Sequence, residues 1–109
     1  MNIRRWWLCA KEGLLPARKL QVTEGDGLPK SLPRRDLVLV QDGSENWCVG
    51  MLCPCGCGQR IELPLIEEAH PRWKIHVDGQ RRPTLQPSVW LRDGCRSHFF
   101  VREGRVEWI

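Results

Sequence analysis

The chain has 109 residues and a formal net charge of +4, from 17 basic and 13 acidic side chains; 41% of residues are hydrophobic and 28% charged. This size and balance describe one globular domain, residues 1–109, with a small core, rather than a disordered chain. So mild a charge selects no partner, and without an ordered basic–aromatic motif nucleic acid is not the expected one.

From the N-terminus, Trp6–Ala10 is apolar but is followed at once by Lys11 and Glu12. That run is too short for a secretory signal, and no segment nears the ~20 apolar residues that span a bilayer. A cytoplasmic protein without a membrane anchor is the expectation, and reduced thiols there direct clustered cysteines toward metal. No long helix is signalled, because 8 prolines and 10 glycines divide the chain into short pieces. The stretch 14–35 reads as turns with one short strand near Lys19–Val22. Leu37–Val40 is an apolar strand ending at Asp42-Gly43. Trp47–Leu52 runs into a cysteine loop, and Arg60–Leu63 leaves it as the partner strand.

Pro64–Ala69 reads as one helical turn stopped by Pro71. In Arg72–Val77, Trp73, Ile75 and Val77 alternate with Arg72, Lys74 and His76, the pattern of a half-buried strand. His98–Arg102 and Arg105–Ile109 flank Glu103-Gly104 as a hairpin. The arginine pairs Arg4-Arg5, Arg34-Arg35 and Arg81-Arg82 read as solvated surface or turns. The expected fold is mainly β, with little helix: a small antiparallel sheet structure built around a knuckle-like metal loop.

That loop is Cys53-Pro54-Cys55-Gly56-Cys57-Gly58, and Cys95-Arg96-Ser97-His98 adds a second cluster. Glycines let a tight loop turn several sulfurs toward one point. Zinc takes four ligands from Cys, His or carboxylate. Five side chains therefore compete: Cys53, Cys55, Cys57, Cys95 and His98. The compact set Cys55, Cys57, Cys95 and His98 is preferred, with Cys53 in reserve. Cys9 and Cys48 read as small core residues, and His70 and His76 as a turn and a surface residue.

Three motifs in order carry a resemblance: the cysteine loop, Pro83-Thr84-Leu85-Gln86-Pro87-Ser88-Val89, and Cys95-Arg96-Ser97-His98-Phe99-Phe100. With Gly104–Trp108 they resemble a bacterial family of small domains encoded in ubiquitin-like conjugation (Bub-type) operons. The resemblance covers about the C-terminal two-thirds of the chain. It implies a zinc-dependent peptidase or isopeptidase that acts on a ubiquitin-like protein or its conjugates. The chain has no H-E-x-x-H helix, so a general base must come from elsewhere. Glu62 on the presumed partner strand is the first candidate and Glu45 the second. Ser88 and Ser97 are candidate donors to a substrate carbonyl. The alternative is a closed structural zinc site in an adaptor that binds a ubiquitin-like or other protein without turnover.

Overall fold

The computed structural model describes residues 3–109; the side chains of the Arg4-Arg5 pair lie outside the described residues. The chain runs through helix α1 (Ile3–Leu14) and strands β1 (Leu20–Glu24), β2 (Leu37–Asp42), β3 (Glu45–Leu52) and β4 (Arg60–Pro64). It continues through β5 (Lys74–Val77), β6 (Pro83–Trp90), β7 (His98–Arg102) and β8 (Arg105–Trp108). The strands form two four-stranded sheets, ordered β1-β2-β3-β4 and β5-β6-β7-β8. The fold is mainly β. Within it the β1–β2 pair is parallel, a departure from the expected antiparallel pattern. The crossover through residues 25–36 makes this possible, because a parallel pair needs a long connection.

The inner faces of both sheets meet in one apolar cluster. Leu37, Leu39, Val49, Met51, Ile61 and Leu63 come from the first sheet, and Leu85, Val89, Phe99, Val101 and Val106 from the second. Leu37 to Val40 are all buried, so β2 is covered on both faces. On its other side Leu28 from the crossover lies directly over Gly50. The first motif strand and its partner pair as the sequence suggested, with Met51 opposite Ile61 and Leu52 opposite Arg60. The C-terminal hairpin also forms, with Arg102 opposite Arg105. Pro64–Ala69 makes only a turn closed by the Ala69 N–H on the Ile66 carbonyl.

Helix α1 is the element the sequence reading did not foresee. Its C-terminal half packs on β8, and Pro16 follows it, where a helix cannot readily continue. The Arg105 Nη1 donates to the carbonyls of Glu12 and Leu15, both at 2.7 Å, satisfying carbonyls at the helix end. Glu12 is buried and accepts from Arg18 Nη2 at 2.8 Å, Arg18 Nε at 3.2 Å and the Val106 N–H at 3.0 Å. Arg35 adds a longer contact at 3.6 Å. The N-terminal half leaves Ile3, Trp6 and Trp7 exposed, and Cys9 is exposed rather than in the core. No helix is long and apolar enough to cross a membrane among the described residues.

Candidate active site and metal centre

The cysteine loop hangs from the end of β3, and its geometry follows from its glycines. Gly56 and Gly58 have φ of +90° and +85°, values that side-chain-bearing residues rarely adopt. The Cys53 N–H donates to the Gln59 carbonyl and the Gly56 N–H to the Cys53 carbonyl, closing the loop on itself. The sulfurs of Cys53, Cys55, Cys57 and Cys95 consequently lie within 4.8 Å of one another. Cys53 Sγ is 3.4 Å from Cys55 Sγ and 3.6 Å from Cys95 Sγ. A tetrahedral ion with metal–sulfur bonds of ~2.3 Å sets its ligands ~3.8 Å apart, so the cluster fits a metal held by four thiolates.

Burial pushes the Cys53 thiol far up, the Cys55 and Cys95 thiols add to the rise, and the Ser97 hydroxyl and the Cys55 backbone partly offset it. Burial also opposes ionisation of Cys95, but hydrogen bonds from the Ser97 side chain and backbone and from Cys53 outweigh it and bring Cys95 to about 6. Ser97 is buried, with its Oγ 3.2 Å from Cys95 Sγ and 3.5 Å from Cys53 Sγ. It lies beside the sulfurs and supports two of them.

His98 is not in this group. The alternation of β7 explains why: Phe99 and Val101 point into the core, so His98 and Phe100 point outward. There His98 Nε2 meets Ser88 Oγ at 3.0 Å. Ser88 sits at an irregular point of β6, where Pro87 has no N–H to give the ladder and the register with β7 slips between Leu85 and Val89. The Ser88 carbonyl accepts from the Trp73 indole at 3.4 Å, tying the irregular segment to the start of β5. The sequence signal for this pair was the Pro-Ser-Val segment followed ten residues later by the histidine. The cysteine spacing around His98 masked it, because C-x-x-H reads as a metal pair.

The other candidates lie apart. Glu62 is exposed on β4, on the face opposite its core neighbours Ile61 and Leu63. Its charge is felt by Cys48, whose thiol is raised to about 11 by burial first and Glu62 second. Glu45 is exposed at the start of β3, opposite Asp42. Thr84 Oγ1 accepts the Glu103 N–H at 2.9 Å, bracing the C-terminal hairpin. His70 and His76 are both exposed.

A cleft of about 620 Å³ runs over the same outer face of the second sheet, along Gln86, Phe100, Arg102 and Arg105. Gln86 lies two residues before Ser88 on β6, and Phe100 two residues after His98 on β7. The pair itself does not line the cleft but shares its face of the sheet.

The family model described as "Bacterial ubiquitination-like system serine protease (BubE)" matches residues 24–109. No curated protein and no solved structure matches the chain.

Proposed function

We propose, from the premise that the chain belongs to the BubE family, that it is a serine protease of a bacterial ubiquitination-like system, with Ser88 as nucleophile and His98 as its base. One observation carries this reading: the 3.0 Å contact between Ser88 Oγ and His98 Nε2 on an outward, cleft-bearing face. Nucleophile and base within hydrogen-bond reach is the arrangement that activates a hydroxyl. In the proposed reaction Ser88 Oγ attacks the scissile carbonyl carbon and its proton passes to His98 Nε2. The imidazolium then returns that proton to the leaving amine, and water hydrolyses the acyl-serine by the same route. The substrate is the bond that follows a ubiquitin-like protein, either to a precursor extension or to a conjugated target. The outer-face cleft suits an extended chain entering a shallow, open site.

The metal belongs to a different task. Four thiolates give a closed tetrahedral set, the pattern of structural zinc, with no position left for water. Zinc is the ion that this donor set suits best, and its role is to lock the cysteine loop and the approach to β7. This departs from the zinc-dependent peptidase that the resemblance implied, since a catalytic metal needs an open position. The non-catalytic adaptor is the competing outcome of the test.

The test is cleavage of a ubiquitin-like protein fused through its C-terminus to a reporter. Ser88→Ala and His98→Ala each lower the rate on the order of a thousandfold or more, while both keep the metal. A Ser88→Ala protein that cuts as fast as the parent rejects the serine mechanism. A parent that binds the fusion tightly and never cuts it supports the adaptor instead.

A further inference from the structure

In a triad a carboxylate holds the histidine ring in its working orientation. Here the described residues place no hydrogen-bond partner on His98 Nδ1; the ring's one polar side-chain contact is Ser88. What holds the ring is aromatic. The Trp90 indole stacks on the His98 imidazole with ring centroids 5.0 Å apart and planes inclined by 16°. Cross-strand register sets this contact, since Trp90 on β6 is directly opposite His98 on β7. Arg92 also lies over the indole, with its Cζ 4.6 Å from the ring centroid.

Core packing does not account for this indole. Trp90 is 54% exposed and lies outside the apolar cluster, whereas Phe99, the next residue along β7 from His98, is fully buried within it. A large apolar ring left half in water, flat against a histidine, does its work on the histidine. Stacking restricts rotation of the imidazole about its side-chain bonds and keeps Nε2 aimed at Ser88 Oγ. The electron-rich indole face also favours the imidazolium that forms when the serine proton is taken up. Both effects act on the step that moves the proton.

We infer that Trp90 is a positioning residue of the Ser88–His98 pair, filling by ring stacking the place that a carboxylate occupies in a triad. This rests on the serine-protease reading given above. Arg92 packs over the same indole. Trp90 itself touches no reacting atom.

The experiment uses the full-length, metal-loaded protein and a fluorophosphonate probe. Labelling forms the Ser88 Oγ–phosphorus bond, breaks the phosphorus–fluorine bond and releases fluoride, and the serine proton passes to His98 Nε2. Maximal labelling rate and half-saturating probe concentration are measured for the parent, Trp90→Leu, Trp90→Phe and Ser88→Ala. Trp90→Leu keeps an apolar side chain without a ring and lowers the maximal rate about tenfold, with half-saturation unchanged. Trp90→Phe, which restores a stacking ring, recovers the rate to within about threefold. Thermal unfolding is unchanged in both, as expected at a half-exposed position. Labelling of Trp90→Leu at the parental rate, or equal losses in the Leu and Phe variants, overturns the inference while leaving Ser88 as nucleophile. Labelling that survives Ser88→Ala overturns the serine reading and this inference with it.

Discussion

Adjacent side chains on β7 do opposite jobs. His98 faces out to Ser88, while Phe99 is fully buried and meets Trp108 edge-on, with centroids 5.5 Å apart. The alternation of a strand couples the two, because any slip that exposes Phe99 would turn His98 inward. Replacing Phe99 by Ala removes the largest fully buried side chain. It is expected to cost about 3–5 kcal/mol of stability in urea unfolding. Glu12 is the second residue on which much turns. Burial raises its pKa, but the Arg18 hydrogen bonds, the Val106 N–H and the charges of Arg18 and Arg35 win and hold it below its ordinary 4.5. A carboxylate depressed by folding contributes stability that is complete above its unfolded value and is lost as pH falls through the lowered folded value. Acid unfolding below about pH 4.5 is therefore expected to be shallower in Glu12→Gln than in the parent. At neutral pH Glu12→Ala leaves Arg18 buried without its partner and costs about 3–5 kcal/mol, checked by urea unfolding.

Two elements set the geometry of the proposed Ser88–His98 dyad. One is β6, whose ladder is interrupted at Pro87 so that Ser88 stands beside the cross-strand histidine. The other is the loop that leads into β7, where the Cys95 sulfur joins those of the cysteine loop and Ser97 hydrogen-bonds two of the sulfurs. The Leu91 N–H donates to the Ser97 carbonyl at 2.8 Å, so this loop is also stitched to the end of β6. A metal at the four sulfurs thus frames both strands of the dyad from a distance. Stripping it with a chelator is expected to abolish fluorophosphonate labelling of Ser88 together with loss of folded signal by circular dichroism. Reloading with zinc, cadmium or cobalt should restore the same labelling rate, because each satisfies four thiolates. A rate that tracked the identity of the ion would instead place the metal in the chemistry.

On the scale of the molecule, the two sheets share one core but carry different tasks. The first sheet presents the cysteine loop at the end of β3, and the second presents the serine, the histidine and the cleft. The four clustered sulfurs come from both, with three on the loop after β3 and Cys95 before β7. This joins halves of the chain that are separated by more than a third of its length. Helix α1 closes one side over β8 through hydrogen bonds from Arg105 and from the Val106 N–H, and leaves Ile3, Trp6 and Trp7 facing solvent.

Much of this was legible in the sequence because it is encoded locally. Alternation marked β5 and the C-terminal hairpin, the apolar run marked β2, and glycines between cysteines marked the metal loop. Helix α1 was legible only in part. Ile3, Trp6, Trp7 and Leu14 recur at helical spacing, but the face they form is exposed, and what seats the helix is the Glu12–Arg18 ion pair together with hydrogen bonds from Arg105 and Val106 far along the chain. The ligand set and the dyad were hidden for a related reason. Spacing shows that five side chains are near the end of two strands, but only register shows which way each one points. Pairing of β6 with β7 turned His98 to the outer face beside Ser88 and Trp90, and folding of the loop brought Cys53 in as the fourth sulfur. The sequence by itself determined that there would be a cysteine cluster able to hold a metal ion in a small β fold. Tertiary structure decided that the histidine is not part of it, since a strand's two faces differ by a single step in register.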